Sequence, residues 1–102
     1  MKLKWSARAD ADLAEIGGFI ADDDPVAARR WVDKIVAKAI AASKRPGIGR
    51  MAREYGREDI REVNLRGYRI IYAVRRKHIT VLTVFEGHRQ PPPLEYLLIP
   101  EP

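Results

Sequence analysis

The sequence predicts an α+β domain in which an antiparallel two-helix hairpin packs on a mostly antiparallel β-sheet, in the order β-α-α-β-β-β-β. Three observations carry this. Residues 59–89, DIREVNLRGYRIIYAVRRKHITVLTVFEGHR, hold three runs of β-branched, aromatic and aliphatic residues, broken only by Arg66-Gly67 and Arg75-Arg76-Lys77. Connections of two or three residues can join only antiparallel neighbours, so the runs form a meander. Upstream, two segments with apolar residues at three- and four-residue spacing are separated by a short acidic link, which makes them a helical hairpin. The apolar face of that hairpin needs a cover, and the meander supplies it.

In chain order, Lys2–Trp5 alternates polar and apolar residues as a first strand does. Ser6 is placed to cap the first helix, with Asp10 and Asp12 near the positive end of its dipole. Ala9, Leu13, Ile16 and Ile20 form one apolar stripe, widened by Phe19. Gly17-Gly18 costs this helix about 1 kcal/mol per glycine, and it permits close approach by a second helix or a partner. Asp24 suits an N-cap and Pro25 the first position of the second helix. That helix runs to about Ser43, with Ala28, Val32, Ile35, Ala39 and Ala42 on one face and Trp31 beside them; Pro46 and Gly47 stop it.

The turn-rich stretch PGIGR (46–50) leads into an expected strand at Met51–Tyr55, closed by Gly56-Arg57. The meander strands are Ile60–Leu65, Tyr68–Val74 and His78–Phe85. Gln90-Pro91-Pro92-Pro93 cannot continue a sheet and reads as an extended exit. The reading is therefore one domain over 1–93 and an apolar tail over 94–102. Two fates are open to the tail: folding back on the core, or docking Tyr96, Leu97, Leu98 and Ile99 on a partner chain.

The 102 residues suffice for one modest core. With no cysteine, a disulfide framework, a thiolate metal site and a cysteine nucleophile are all excluded. The opening MKLKWSARADADL has no apolar signal-peptide core, and no apolar run approaches the roughly 18–20 residues of a membrane span. The expected compartment is the cytoplasm, without membrane attachment. Net charge is +5, unevenly spread: residues 1–24 hold three Lys/Arg against six Asp/Glu, and the remainder sixteen against eight. Such asymmetry points to a basic surface that meets a polyanion or an acidic protein.

No metal site and no cofactor are expected. His78 and His88 stand ten residues apart on one strand, about 30 Å when extended, and cannot share an ion. No G-x-S-x-G arrangement is present, and GIGR lacks the Walker spacing and lysine. What remains is a basic constellation: Arg50, Arg53, Arg61, Arg69, His88 and Arg89. Arg69 shares strand parity with Ile71 and Ala73, and His88 shares it with Leu82, Val84 and Glu86. Antiparallel pairing is expected to bring Arg69 near His88. Arginines there can bind phosphate bidentately, and a histidine can move a proton near neutral pH. RNA backbone cleavage needs both. The competing role for Arg69 is an ion pair with Glu62 or Glu86 that only stabilises the sheet.

Nearly the whole chain resembles the ParE/RelE superfamily of toxins from bacterial type II toxin–antitoxin modules. The resemblance is carried by KLKWSARADADLAEI-GGFIA, DDPVAARRWVDKI, RPGIGR, IREVNLRGYRIIYAV and ITVLTVFEGHR. It implies the fold already derived. It also implies a cognate antitoxin bound in a heterodimer or heterotetramer, for which Trp31, Tyr96, Leu97 and Leu98 are the candidate contacts. ParE-like members inhibit DNA gyrase without a catalytic site, and Arg50, Arg53 and Arg61 would then serve target or nucleic-acid binding. RelE-like members cleave mRNA on the ribosome, and on that branch Arg69, His88 and Arg89 would be the catalytic residues; the third alternative is a non-toxic basic binding module of the same fold. The Asp-Asp-Pro junction and the P-x-x-G-R turn are closer to the ParE-like branch. On the RelE-like pattern, Arg89-Gln90 stands where an aromatic catalytic residue belongs, and Met51-Ala52 where a glutamate belongs, with Glu54 a loose substitute.

Overall fold

The computed structural model describes residues 1–98. Its elements are β1 (Lys2–Trp5), α1 (Ala7–Ala21), α2 (Pro25–Lys44), β2 (Arg50–Met51), β3 (Ile60–Leu65), β4 (Tyr68–Val74), β5 (His78–Glu86) and the one-turn α3 (Leu94–Leu97). The five strands form one sheet in the order β1-β5-β4-β3-β2. The β2–β3, β3–β4 and β4–β5 pairings are antiparallel. β1 alone runs parallel to its neighbour β5, because the helical hairpin returns the chain to the same end of the sheet.

The caps act as their residue types dictate. The Ser6 hydroxyl accepts from the Ala9 amide at 3.0 Å, and the Asp24 carboxylate accepts from the Val26 and Ala27 amides at 3.1 Å each. At the α1–α2 crossing, a Cβ on Gly17 would come within 3.2 Å of Val32 Cγ2, whereas Gly18 faces open space. Of the two glycines, only Gly17 is required by helix packing. The Arg66-Gly67 turn has both residues at positive φ, +45° and +91°, the geometry that matches the twist of a two-residue hairpin.

The sheet buries both faces. Toward the helices, Ile70, Val81 and Val84 pack with Ala9, Ile35 and Ala39, and Tyr72 and Ile79 pack with Ala42. On the opposite face Ile60, Ile71, Ala73, Leu82 and Phe85 meet Ala52 and Leu97, with Tyr55, Leu94 and Leu98 beside them. The tail residues 94–98 therefore fold back onto the sheet. Ile99 and the rest of the tail lie outside the described residues.

Two sequence expectations are corrected. The segment expected as a strand at Met51–Tyr55 is a two-residue strand, Arg50–Met51, followed by a 3-10 turn at Arg53–Tyr55. Gly56, left-handed at φ +63°, ends that turn, and its amide bonds back to the Arg53 carbonyl. The 3-10 turn lets Ala52 and Tyr55 reach the outer core together, which a strand with alternating faces does not allow. The parity assigned to β5 also fails. Ile71 pairs with Thr83 but Tyr72 with Val81, so Leu82 is an extra residue in a β-bulge. As a result Leu82 faces the tail side and Val84 the helices.

Candidate functional site

The expected basic constellation divides into parts with different surroundings. At its centre an ionic chain runs across the tail-side face of the sheet. The Arg50 guanidinium donates to Glu62 Oε1 at 2.8 Å, and Arg69 Nε donates to Glu62 Oε2 at 2.6 Å. Arg69 then closes a two-pronged pair on Glu54, with Nη1 to Oε2 at 2.5 Å and Nη2 to Oε1 at 2.8 Å. The guanidinium also lies over the Phe85 ring, 5.2 Å from its centroid. Glu62 is only 3% exposed and Arg69 only 14%. A carboxylate buried to that degree is tolerable only with hydrogen-bonding cations on both oxygens, and it has them.

Strand register builds this chain. Glu62 pairs across with Ile71 and Arg69 with Asn64, which sets Arg69 diagonally beside Glu62. The 3-10 turn delivers Glu54 from the other side. Electrostatics follow: hydrogen bonds from Arg69 hold the Glu54 carboxyl down to about 2, and the same bonds, first those to Glu54, raise Arg69. Two arginines meet two glutamates here, so the centre is neutral. Arg69 thus forms the anticipated ion pair with Glu62 and a second one with Glu54.

His88 and Arg89 do not join it. The His88 imidazole sits 3.2 Å from Glu86 and is 78% exposed. The shallow depression that contains Arg69 is lined by Arg50, Met51, Arg53, Glu54, Glu62 and Gly87. Arg89 instead lines a cleft beside α1 with Arg8, Glu15, Tyr68 and Glu86. Gly87, next to His88 in the chain, lies against the Arg69 stem, where a Cβ would be 3.5 Å from Arg69 Cγ and Cδ, while the His88 imidazole pairs with Glu86. Arg61 bends back onto the backbone, donating to the Gly49 carbonyl at 2.9 Å and the Glu58 carbonyl at 3.2 Å. Arg53 is exposed on the 3-10 turn. No group of three or more His, Asp or Glu side chains able to hold a metal ion occurs among the described residues.

The candidate contact residues also separate. Leu97 is buried in the chain's own core, and Leu98 is half-buried against it. Tyr96 points the other way and is 59% exposed. Trp31 is half-buried, edge-on to Tyr68 with ring centroids 5.9 Å apart. Lys34 and Arg66 flank its ring at 5.8 and 5.7 Å.

Two polar anchors escaped the sequence reading. Tyr72, fully buried, accepts from the Gly49 amide at 3.0 Å and donates to the Pro46 carbonyl at 2.6 Å, tying PGIGR to the sheet. The Asp12 carboxylate accepts from Thr83 Oγ1 at 2.5 Å and the Val84 amide at 3.0 Å, fastening α1 to the bulged strand. A polar residue in an apolar run (Thr83) and an acid on the inner flank of α1 (Asp12) are visible in the sequence, but their partnership across 71 positions is not.

Comparison with known proteins agrees with this architecture. The profile of the family described as "ParE toxin of type II toxin-antitoxin system, parDE" matches residues 3–91. The protein named "Putative toxin Y4kP" from Sinorhizobium fredii is 34% identical over 91 residues, which cover 89% of this chain and 93% of the relative. The solved structure described as "Chromosomal ParDE TA system from P. aeruginosa" superimposes with a TM-score of 0.69 at 25% identity, covering 84% of this chain and 95% of the other.

Proposed function

The chain belongs to the ParE toxin family of type II toxin–antitoxin systems, and on that premise we propose that it arrests growth by binding DNA gyrase and is neutralised by a cognate antitoxin. The observation that carries the choice of target is the engagement of Arg69. A phosphate-clamping arginine must offer its guanidinium to substrate, yet this one spends its donors on Glu54 and Glu62. His88 for its part is exposed and paired with Glu86. Inhibition by protein–protein contact needs only a presented surface, and the fold presents one. Exposed Arg50 and Arg53 stand on the β2 edge beside Met51 as a target-facing patch. Tyr96 on the tail is the antitoxin contact the packing leaves available, in a toxin–antitoxin heterodimer or heterotetramer.

The test is a DNA supercoiling assay with purified gyrase and the isolated chain, with and without the candidate antitoxin. Inhibition relieved by the antitoxin is the expected result. Supercoiling that proceeds normally at saturating toxin, with new mRNA ends appearing on ribosomes, would transfer the activity to RNA cleavage and make Arg69, His88 and Arg89 the residues to examine.

A further inference from the structure

One flank of α2 carries a row of cations that neither the fold nor the ionic chain uses. Arg30, Lys34 and Lys38 recur every four residues along α2, with Lys34 by Trp31 and Lys38 beside Asn64 on the side toward the β3–β4 hairpin. Arg66, at the tip of that hairpin, adds a fourth positive charge where it and Lys34 meet over Trp31. None of the four forms an ion pair among the described residues. The α2 carboxylate Asp33 lies on the other flank, paired with Arg29. The adjoining stretch of β3 presents Asn64 beside Lys38 in a shallow groove, and its acid, Glu62, is buried and already paired with Arg50 and Arg69.

We propose that this row, Arg30–Lys34–Lys38 with Arg66, is a contact surface for the phosphate backbone of duplex DNA. The steps between successive cations are about 6 Å, giving about 12 Å along the helix axis. A DNA strand presents a phosphate about every 3.4 Å of its axis, so the row faces several phosphates at once. The chemistry excludes two other occupants. A protein partner needs a contiguous apolar centre to its interface, but the apolar groups here are set apart among the cations: half-buried Trp31 is edge-on to Tyr68 and flanked by Lys34 and Arg66, and Ile48 lies in the groove with Lys38 and Arg50. Single-stranded nucleic acid needs an open aromatic face on which bases stack, and the same flanking of Trp31 removes it. A linear cation row without acids or open rings fits a rigid polyanion bound through its backbone. The inference goes beyond gyrase binding and is tested without gyrase, so failure of either leaves the other standing.

The probe is a fluorescently labelled 24-base-pair duplex of mixed sequence, titrated with the full chain from 50 to 200 mM KCl and read by anisotropy. About four phosphate contacts predict a log–log salt slope of about −3.6. The variant Lys34→Gln/Lys38→Gln/Arg66→Gln is expected to bind at least about tenfold more weakly, with the slope shallower by about 2.7. The variant Lys2→Gln/Arg76→Gln/Lys77→Gln removes the same charge at the far end of the sheet and is expected to bind as the parent does. Circular dichroism establishes that both are folded. Absence of binding at 50 mM KCl overturns the proposal, as does equal weakening in the two variants, which would make the effect one of net charge. Tighter binding to polyglutamate of matched charge would assign the row to an acidic protein instead. Tighter binding to single-stranded DNA or duplex RNA would likewise remove the assignment to duplex DNA.

Discussion

Arg69 and Glu62 meet at 2.5 Å on the tail-side face of the sheet, one on β4 and the other on β3, with Glu62 almost wholly removed from solvent. Arg69 and Arg50 each donate to one of its oxygens. Removing one partner of a buried pair costs about 3–5 kcal/mol, reduced where another cation remains. Arg69→Ala is therefore expected to lose about 2–3 kcal/mol in urea unfolding. Arg69→Met/Glu62→Leu, which removes both buried charges, should recover most of that loss. An Arg69→Ala midpoint equal to the parent's would mean that the pair contributes nothing.

Glu54 carries the pH dependence of the same cluster. Its carboxyl titrates near 4.5 when unpaired and is held to about 2 by Arg69. A depressed acid stabilises the fold fully above its unfolded value and loses that contribution as pH falls through the folded one. Stability should therefore decline between about pH 4.5 and 2 beyond what other acids cause, and Glu54→Gln should flatten that part of the profile. The carboxylate is 38% exposed, so solvent screening limits the size of the effect. Identical acid profiles for parent and variant would show that the Arg69–Glu54 bonds are not maintained in solution.

Gly49 is fixed by what surrounds it. A Cβ there would sit 2.3 Å from the Tyr72 hydroxyl and 2.6 Å from the Glu62 carbonyl. Gly49→Ala should cost about 3 kcal/mol, since backbone and a buried ring must both shift. Gly47→Ala, two residues earlier with nothing within 4 Å, should stay within about 0.5 kcal/mol of the parent. Thermal unfolding of the two variants side by side checks the contrast.

Asp12 holds α1 to the bulge of β5. Asp12→Ala strands the Thr83 hydroxyl and the Val84 amide, for a loss of about 2 kcal/mol. Hydrogen exchange at the Val84 amide should accelerate more than at amides of β3. Uniform acceleration would instead indicate global destabilisation alone.

For function, His88→Ala should leave growth arrest intact, because the imidazole is 78% exposed and paired with Glu86 rather than with the Arg69 cluster. Arg69→Ala should lose arrest only in proportion to its loss of folded protein. Induced expression with soluble protein quantified distinguishes this from catalysis, in which His88→Ala would abolish arrest in a fully folded chain.

Local chemistry made much of this protein legible. Ser6, Asp24 and Pro25 set the helix starts, Arg66-Gly67 set the hairpin, and the period of apolar residues set which segments were helix and which were sheet. These signals reach over a few residues, so the sequence alone determined the α+β class, the helical hairpin, the meander and the family resemblance. Tertiary structure decided what depends on distant partners. The second ion-pair partner of Arg69 is a glutamate fifteen positions away, delivered by a 3-10 turn where the sequence had suggested a strand. The bulge at Leu82 reversed the facing of half of β5, since inserting one residue into a two-residue period exchanges the faces. The tail leucines complete a cover of the meander's second face that Ala52 and Tyr55 only begin. Periodicity specifies that a face will be buried. Only the folded chain specifies against what.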